Sequence, residues 1–333
     1  MDNYGVLPLH DIEHICQHFS SEFIELESVN FVIVGASGFL GRWLATSLLF
    51  LQSQGLLRGN LLFLVRDKTK ISELDTLIIP SKGKIVPISS VNESTFLQMC
   101  AVRTVVIYAA SSTTNSGKPL EVNPESFLDL PRKILNYLPQ QNVTFIHLSS
   151  GAVYVPSSRL KVGIPGFEKT QISSTDSYNA EKIILESWLE SVRLVPNLLT
   201  RNPRLFAFYG PGLQLDRHFA VGEFIRNGMS KLPIVVNGNP SNLRSYLHPR
   251  DAILQIFGNC LLAEPKNTQI GSTNVMMIEL VAQIIAQEFG VKVEVRGQNS
   301  DPIDNYVPLD TQALSEKDFE IGISEWRKWL EIA

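Results

Sequence analysis

Six short apolar runs, "FVIV", "LLFLV", "KIVPI", "TVVIYAA", "VTFIHLS" and "RLFAF", lie between residues 31 and 208 and alternate with longer segments of helical periodicity. None of them alternates apolar with polar residues, so they read as strands buried on both faces. Strands of that kind need a parallel sheet covered by helices on both sides, and right-handed strand–helix–strand crossovers then make an α/β doubly wound sheet. After about residue 212 the rhythm loosens. Helices are expected near 216–229, 250–262 and 277–289, with short strands in "PIVV" and "KVEV". This predicts a sheet domain over 31–212 and a smaller α/β lobe over 213–333 on the sheet's carboxyl edge. The first thirty residues stand apart: Ile12, Ile15, Phe19 and Phe23 fall at helical spacing, predicting an amphipathic helix in an extension over 1–30.

Bulk properties remove several classes of function. The chain of 333 residues is 44% hydrophobic and carries a net charge of -4, with no run of basic residues, which argues against a nucleic-acid partner. No apolar stretch reaches the ~20 residues that cross a bilayer, and "MDNYGVLPLH" lacks a signal peptide's pattern, so no membrane partner and a cytoplasmic location are expected. Cys16, Cys100 and Cys260 are far apart in sequence and read as reduced thiols. His10, His14 and His18 recur at i, i+4 and i+8 with Cys16 nearby, but no fourth ligand has suitable spacing, so no metal is expected.

Directly after the first run comes "GASGFLG", with Gly35, Gly38 and Gly41 ahead of the helical segment "FLGRWLATSLLFL". A strand that turns sharply into a helix aims free N–H groups and the positive dipole end at a pyrophosphate. Glycines suit the turn, the phosphate approach and helix-on-strand packing. Gly35, Ser37, Gly38, Phe39, Leu40 and Gly41 are therefore candidate dinucleotide contacts. The second run ends at Arg66, where an acid would accept from the adenosine ribose but an arginine accommodates a 2′-phosphate. This points to NADP(H) rather than NAD(H).

"DSYNAEK" places Tyr178 four residues before Lys182, on one helix face. A phenol with a reference pKa of ~10 is a poor acid–base near pH 7, and a neighbouring ammonium favours the phenolate. The fifth run leads into "HLSSGAVYV", so a serine hydroxyl and Tyr178 can meet beyond the carboxyl ends of the strands, where such sheets bind ligands. The serine would hold a substrate oxygen during hydride transfer, with Tyr178 and Lys182 forming a proton relay.

With "YAAS" (108–111), "SSGAVY" (149–154), "YNAEK" (178–182), "PRLFAFYGPG" (203–212) and "RSYLHPRDA" (244–252), these motifs run in one order over about residues 31 to 300. The chain resembles the extended short-chain dehydrogenase/reductases, specifically the NAD-dependent epimerase/dehydratase family that acts largely on nucleotide sugars. The resemblance implies a Rossmann-type sheet. It selects Ser150 over Ser149 as catalytic beside Tyr178 and Lys182, and gives Lys182 a second contact with the nicotinamide ribose. It adds Ala109, Ala110 and Ser111 to the cofactor contacts and assigns Arg244 to the substrate diphosphate, against the alternative of a salt bridge to Asp251. It also implies a homodimer through a four-helix bundle that includes the Tyr178 helix. Two departures stand out: "ISSVNES" carries no acid directly after the third strand, and Ala207 replaces a common substrate-binding asparagine. His147 and His248 are expected to be structural.

The leading expectation is an NADPH-dependent reductase of a 4-keto nucleotide sugar, with Tyr178 as general acid. An NAD-dependent nucleotide-sugar 4-epimerase, a non-catalytic dinucleotide-binding sensor and a reductase of hydrophobic ketones are the alternatives. The resemblance implies that dehydratases of the family carry an acid at one or both of the two positions after the catalytic serine. Here these are Gly151 and Ala152, with no side-chain proton to give or take, so no net dehydration is expected.

Overall fold

The computed structural model describes residues 7–67, 83–99, 102–111, 124–138, 142–154, 177–215, 219–263, 268–309 and 316–332. Cys100 and all of 155–176 lie outside them. Strands β1 (Asn30–Val34), β2 (Leu61–Val65), β3 (Gly83–Pro87), β4 (Thr104–Tyr108) and β5 (Val143–His147) follow the first five apolar runs. A two-residue strand β6 (Ser149–Ser150) comes next, and β7 (Leu198–Arg201) completes a six-stranded sheet in the order β3-β2-β1-β4-β5-β7. Every pairing in it is parallel. Successive side chains leave a strand on opposite faces. Phe31 and Ile33 accordingly pack under α1 (Leu9–Glu22) and α2 (Phe39–Ser53), whereas Val32 and Val34 pack under α3 (Pro124–Tyr137) and α4 (Ser177–Val192).

The sixth strand is not where the pattern placed it. "RLFAF" leaves the central sheet as β8 (Arg204–Leu205) and β9 (Ala207–Phe208), and the less apolar Leu198–Arg201 takes the edge position. Pro203 is the physical reason, because it has no N–H to continue the ladder. Its carbonyl instead accepts from the Ser149 N–H at 2.9 Å, and β8 runs parallel to β6 with Ser150 opposite Leu205. The step out of the sheet therefore frames the segment after β5.

Beyond residue 212 the described elements are α5 (Ala220–Met229), β10 (Ile234–Val236), β11 (Leu243–Leu247), α6 (Pro249–Leu261), β12 (Gln269–Ile270), β13 (Val275–Met277), α7 (Ile278–Phe289), β14 (Val293–Val295) and α8 (Phe319–Ile332). The three expected helices are present, and α8 is an addition. Phe224, Ile225, Val281, Ile285, Ile323 and Trp326 give α5, α7 and α8 their own core. Helix α6 instead returns to the sheet and packs against α1 and α2. No helix among the described residues is long and apolar enough to cross a membrane.

Helix α1 buries Ile12, Ile15, Cys16 and Phe19, and the Phe19 ring meets Phe257 of α6 edge-on at 5.5 Å. Cys16 and Cys260 are buried in this layer, and burial pushes both thiols up to about 12. Asp11, also buried, accepts from the Lys317 ammonium at 2.5 Å. Lys317 reaches Glu325 at 2.6 Å, and its backbone N–H donates to Asp251 at 2.8 Å. The cluster of His10, Asp11 and Glu325 is thus filled by an ammonium. This lysine joins the first helix, the start of α6 and the last helix. Lys317→Met should lower unfolding free energy by about 3 kcal/mol in a urea titration, because it strands the buried Asp11 carboxylate. A loss below about 1 kcal/mol, the range of an exposed pair, would show that the junction is only superficial.

Candidate active site

The glycine turn, the end of β2 and the end of β4 converge at the carboxyl edge of the sheet. Gly35 has φ +87°, and a Cβ there would lie 2.8 Å from the Ala110 nitrogen. Gly41 would place a Cβ 2.1 Å from the Gly35 carbonyl oxygen, so helix α2 reaches its distance from the turn only with glycine. The Gly35 and Ala36 N–H groups both donate to the Leu64 carbonyl, at 2.8 and 3.2 Å, which seats the turn two residues before Arg66. Gly38 is the N-cap of α2, is exposed, and no side chain caps the first turn. The N–H groups at Phe39, Leu40 and Gly41 belong to this uncapped first turn, and a Cβ on residue 38 would meet only the Gly35 carbonyl oxygen, at 3.3 Å. An uncapped, glycine-lined helix N-terminus fits an anionic pyrophosphate. Ser37, Ala109, Ala110 and Ser111 border this edge half-buried, and Leu40 is turned into the core. Arg66 is exposed at the end of β2, and no ion pair with it is present among the described residues.

Strand β6 separates two serines by simple alternation. The Ser149 hydroxyl turns inward and donates to Glu186 at 2.5 Å. Ser150 turns the other way: its Oγ accepts from the Ala152 N–H at 3.1 Å and shares a hydrogen bond with the Tyr306 hydroxyl at 3.3 Å. Helix α4 packs against β6 and the turn after it, so its first turns lie beside Ser150. Lys182 is buried, donates to the Leu148 carbonyl at 2.9 Å, and sits 5.6 Å from the centroid of the half-buried Tyr178 ring. One turn further, Glu186 binds Arg204 through two hydrogen bonds of 3.0 and 2.9 Å. The Arg204 guanidinium also lies 4.7 Å from the centroid of Tyr154. The structure therefore gathers Ser150, Tyr178 and Lys182 on one edge, and supports them with Ser149, Glu186 and Arg204.

Three of these groups escaped the sequence reading. Glu186 stands at i+4 from Lys182, so continued helical spacing could have found it. Arg204 lies inside a motif already noted. Tyr306 follows no periodic pattern and only the tertiary structure reveals it. Arg244 also has an unforeseen partner: its Nη2 lies 3.3 Å from Asp304, and its Nη1 donates to the Leu243 and Asp304 carbonyls. Asp251 pairs with Arg250 instead, at 2.7 Å. A parallel bridge between Arg244 and Tyr306 sets segment 304–306 beside β11, whereas Asp251 lies buried in the first turn of α6.

His147 is fully buried at the end of β5 with Nδ1 3.2 Å from Asn202 Oδ1, and His248 caps α6 by accepting from the Arg250 N–H. Burial, reinforced by the Lys182 charge, pushes His147 down to about 3. Burial, with Lys317 and Arg250, holds His248 well below its ordinary range. Burial and Arg250 push His14 down to about 4. The unfolded chain binds these protons at about pH 6.5 and the folded chain does not, so stability must fall as pH drops from about 6.5 toward 4. His147 and His248 each contribute up to about 1.4 kcal/mol per pH unit in that window. Denaturant titrations at pH 7 and pH 5 check this, and equal unfolding free energies would refute it.

A family model described as "NAD dependent epimerase/dehydratase family" matches residues 31–269. No curated protein matches the chain. Among solved structures, similarity extends to the UDP-N-acetylglucosamine 4-epimerase of Methanobrevibacter ruminantium M1 in complex with UDP-N-acetylmuramic acid. That pair shows 17% identity over 92% of this chain and 99% of the other, with a TM-score of 0.72. The UDP-glucuronic acid 4-epimerase of Bacillus cereus, in complex with UDP-glucuronic acid and NAD, gives 16% identity, 91% and 99% coverage and a TM-score of 0.66. The dTDP-glucose 4,6-dehydratase of Bacillus anthracis str. Ames, in complex with NAD, gives 16% identity, 92% and 97% coverage and a TM-score of 0.67. At these identities the likeness concerns the fold, the same six-stranded parallel sheet with helices on both faces. With the family match spanning well over half its length, the protein belongs to the NAD dependent epimerase/dehydratase family of extended short-chain dehydrogenase/reductases.

Proposed function

We propose that this chain is an NAD-dependent nucleotide-sugar 4-epimerase. The observation that carries the reading is what stands beside Ser150. A Cβ on Gly151 would lie 2.7 Å from the Phe206 ring, which is itself buried and packed 5.0 Å from the Tyr306 ring. Position 151 therefore has no room for the acid that would protonate a leaving hydroxyl, and Ala152 has no proton to offer. Elimination lacks its acid–base pair. Hydride transfer at a secondary alcohol needs only an oxygen-holding hydroxyl and one proton carrier.

The relatives in complex with NAD and UDP-sugars support this reading over net reduction, which displaces the NADPH-dependent 4-keto reduction expected from the sequence. In this reading Ser150 holds the sugar C4 oxygen and Tyr178 takes its proton. When bound, the dinucleotide would supply the hydride acceptor and donor for C4. Lys182 keeps a positive charge beside the phenol while the sugar turns its other face, and Tyr178 then gives the proton back. Gly35, Ser37, Gly38, Phe39, Leu40, Gly41, Ala109, Ala110, Ser111 and Lys182 would hold the dinucleotide. Arg244 would reach the diphosphate in place of its Asp304 contact, a role suited to its planar fork. A homodimer through a four-helix bundle that includes α4 belongs to the same reading.

One observation favours a second reading. Arg66 stands where an arginine accommodates a 2′-phosphate, which suits NADPH and a reductase. Incubation with UDP-glucose, UDP-N-acetylglucosamine and UDP-glucuronic acid separates the two. The expected result is a 4-epimer without cofactor consumption and without the alkali-revealed 4-keto chromophore. That chromophore would defeat the exclusion of dehydration, and steady loss of NADPH absorbance on a 4-keto sugar nucleotide would establish the reductase. Arg66→Asp tests the arginine directly. If Arg66 binds a 2′-phosphate, NADPH affinity should fall by about 10- to 100-fold, the loss of one charge-assisted hydrogen bond. An unchanged NADPH affinity would leave Arg66 a solvated surface group.

A further inference from the structure

We infer that Tyr306 is a positioning residue that fixes the hydroxyl of Ser150 as a proton donor, an inference that rests on the hydride-transfer reading above. A serine hydroxyl has one proton and two lone pairs. The Ala152 N–H already occupies one lone pair of Ser150, at 3.1 Å. The Tyr306 hydroxyl stands 3.3 Å away, and when it donates it occupies the other. Ser150 is then left with nothing but its proton to offer. A hydroxyl that can only donate is what a sugar oxygen gaining negative charge requires. Without that constraint Ser150 could accept from the substrate's own hydroxyl, or from Tyr178, and the relay would start from the wrong proton arrangement.

The phenol is held firmly enough for this. The Tyr306 N–H donates to the Leu243 carbonyl at 2.9 Å, and the preceding Asn305 accepts from the Leu243 N–H at 2.8 Å. The Tyr306 ring packs 5.0 Å from Phe206, whose neighbour Leu205 lies opposite Ser150 in the β6–β8 pair. The Tyr306 hydroxyl also has the Leu205 carbonyl at 3.4 Å as an alternative acceptor. Its O–H can turn from that carbonyl to Ser150, filling the serine's second lone pair without any proton leaving the phenol. Segment 304–306 also carries the Asp304 contact to Arg244, so the lobe that would grip the diphosphate also sets the serine.

The test is a double-mutant cycle in the 4-epimerisation assay, on whichever UDP-sugar of the panel turns over. Tyr306→Phe should lower kcat by about 10-fold and leave KM within about 2-fold, as expected for one lost hydrogen bond made in the transition state. In a Ser150→Ala background the same substitution should cost nothing further, because a residue acting through Ser150 has nothing left to act on. A kcat within about 2-fold of wild type, or an equal loss in both backgrounds, would overturn the inference, the latter by making Tyr306 merely structural. Tyr178→Phe is run alongside. Wild-type turnover in that variant, or no turnover of any panel sugar by the wild type, would overturn the parent reading and this inference with it.

Discussion

Tyr178→Phe should cut turnover by ~10²- to 10⁴-fold, the contribution of a positioned acid–base group, and leave dinucleotide affinity nearly intact. The substitution removes one oxygen and its proton. It leaves α4, the buried Lys182 and the Lys182–Leu148 hydrogen bond in place, because none of them depends on the phenolic oxygen. Loss through unfolding is therefore not expected. Stopped-flow turnover and NAD titration by fluorescence quenching measure the two quantities separately. A variant within a few fold of wild type would mean that the Tyr178–Lys182 pair is a packing contact, and the proton carrier would have to be sought elsewhere along the same edge.

Glu186→Ala should produce the largest loss of stability, about 3–5 kcal/mol, the cost of breaking a buried ion pair on one side. The side chains of Arg204 and Glu186 are 5% and 1% exposed. The guanidinium binds both carboxylate oxygens, and the Ser149 hydroxyl adds a third hydrogen bond to the same group. Without the carboxylate, a cation that cannot lose its proton near neutral pH is left in the interior beside Tyr154. The double substitution Glu186→Ala with Arg204→Met should recover much of the loss, since no buried charge then remains. Urea midpoints of the three variants test this. A single variant within about 1 kcal/mol of wild type would show that solvent reaches the pair after all.

Features decided by a few neighbouring residues could be read directly from the chain. The glycine turn was legible because φ +87° at Gly35 and the 2.1 Å approach at Gly41 are demands on local geometry that glycine alone meets. The pairing of Tyr178 with Lys182 was legible because four residues make about one helical turn. Five of the six sheet strands were legible because strands buried on both faces can hardly be anything but apolar. The sixth was misplaced because the edge strand Leu198–Arg201 carries the polar Thr200 and Arg201, buried though they are, and so lacks the apolar signal, while the more apolar "RLFAF" is turned out of the sheet at Pro203.

What only the tertiary structure decided is who faces whom across long stretches of chain. Ser149 and Ser150 are equivalent by composition, and it is the pairing of β6 with β8 that turns one to the buried Glu186–Arg204 pair and the other to the Tyr306 hydroxyl. Arg244 has both Asp251 and Asp304 within the chain's reach, and the parallel bridge between Arg244 and Tyr306 brings Asp304 to it. The first helix reads as a detached extension, yet Lys317, far along the chain, clamps its buried Asp11. Sequence by itself determined the family, the sheet and the candidate relay, since these rest on contacts within one strand, turn or helix. It could not determine which groups surround Ser150, because a contact between residues 150 and 306 depends on loop closure and packing throughout the fold and leaves no local pattern to read.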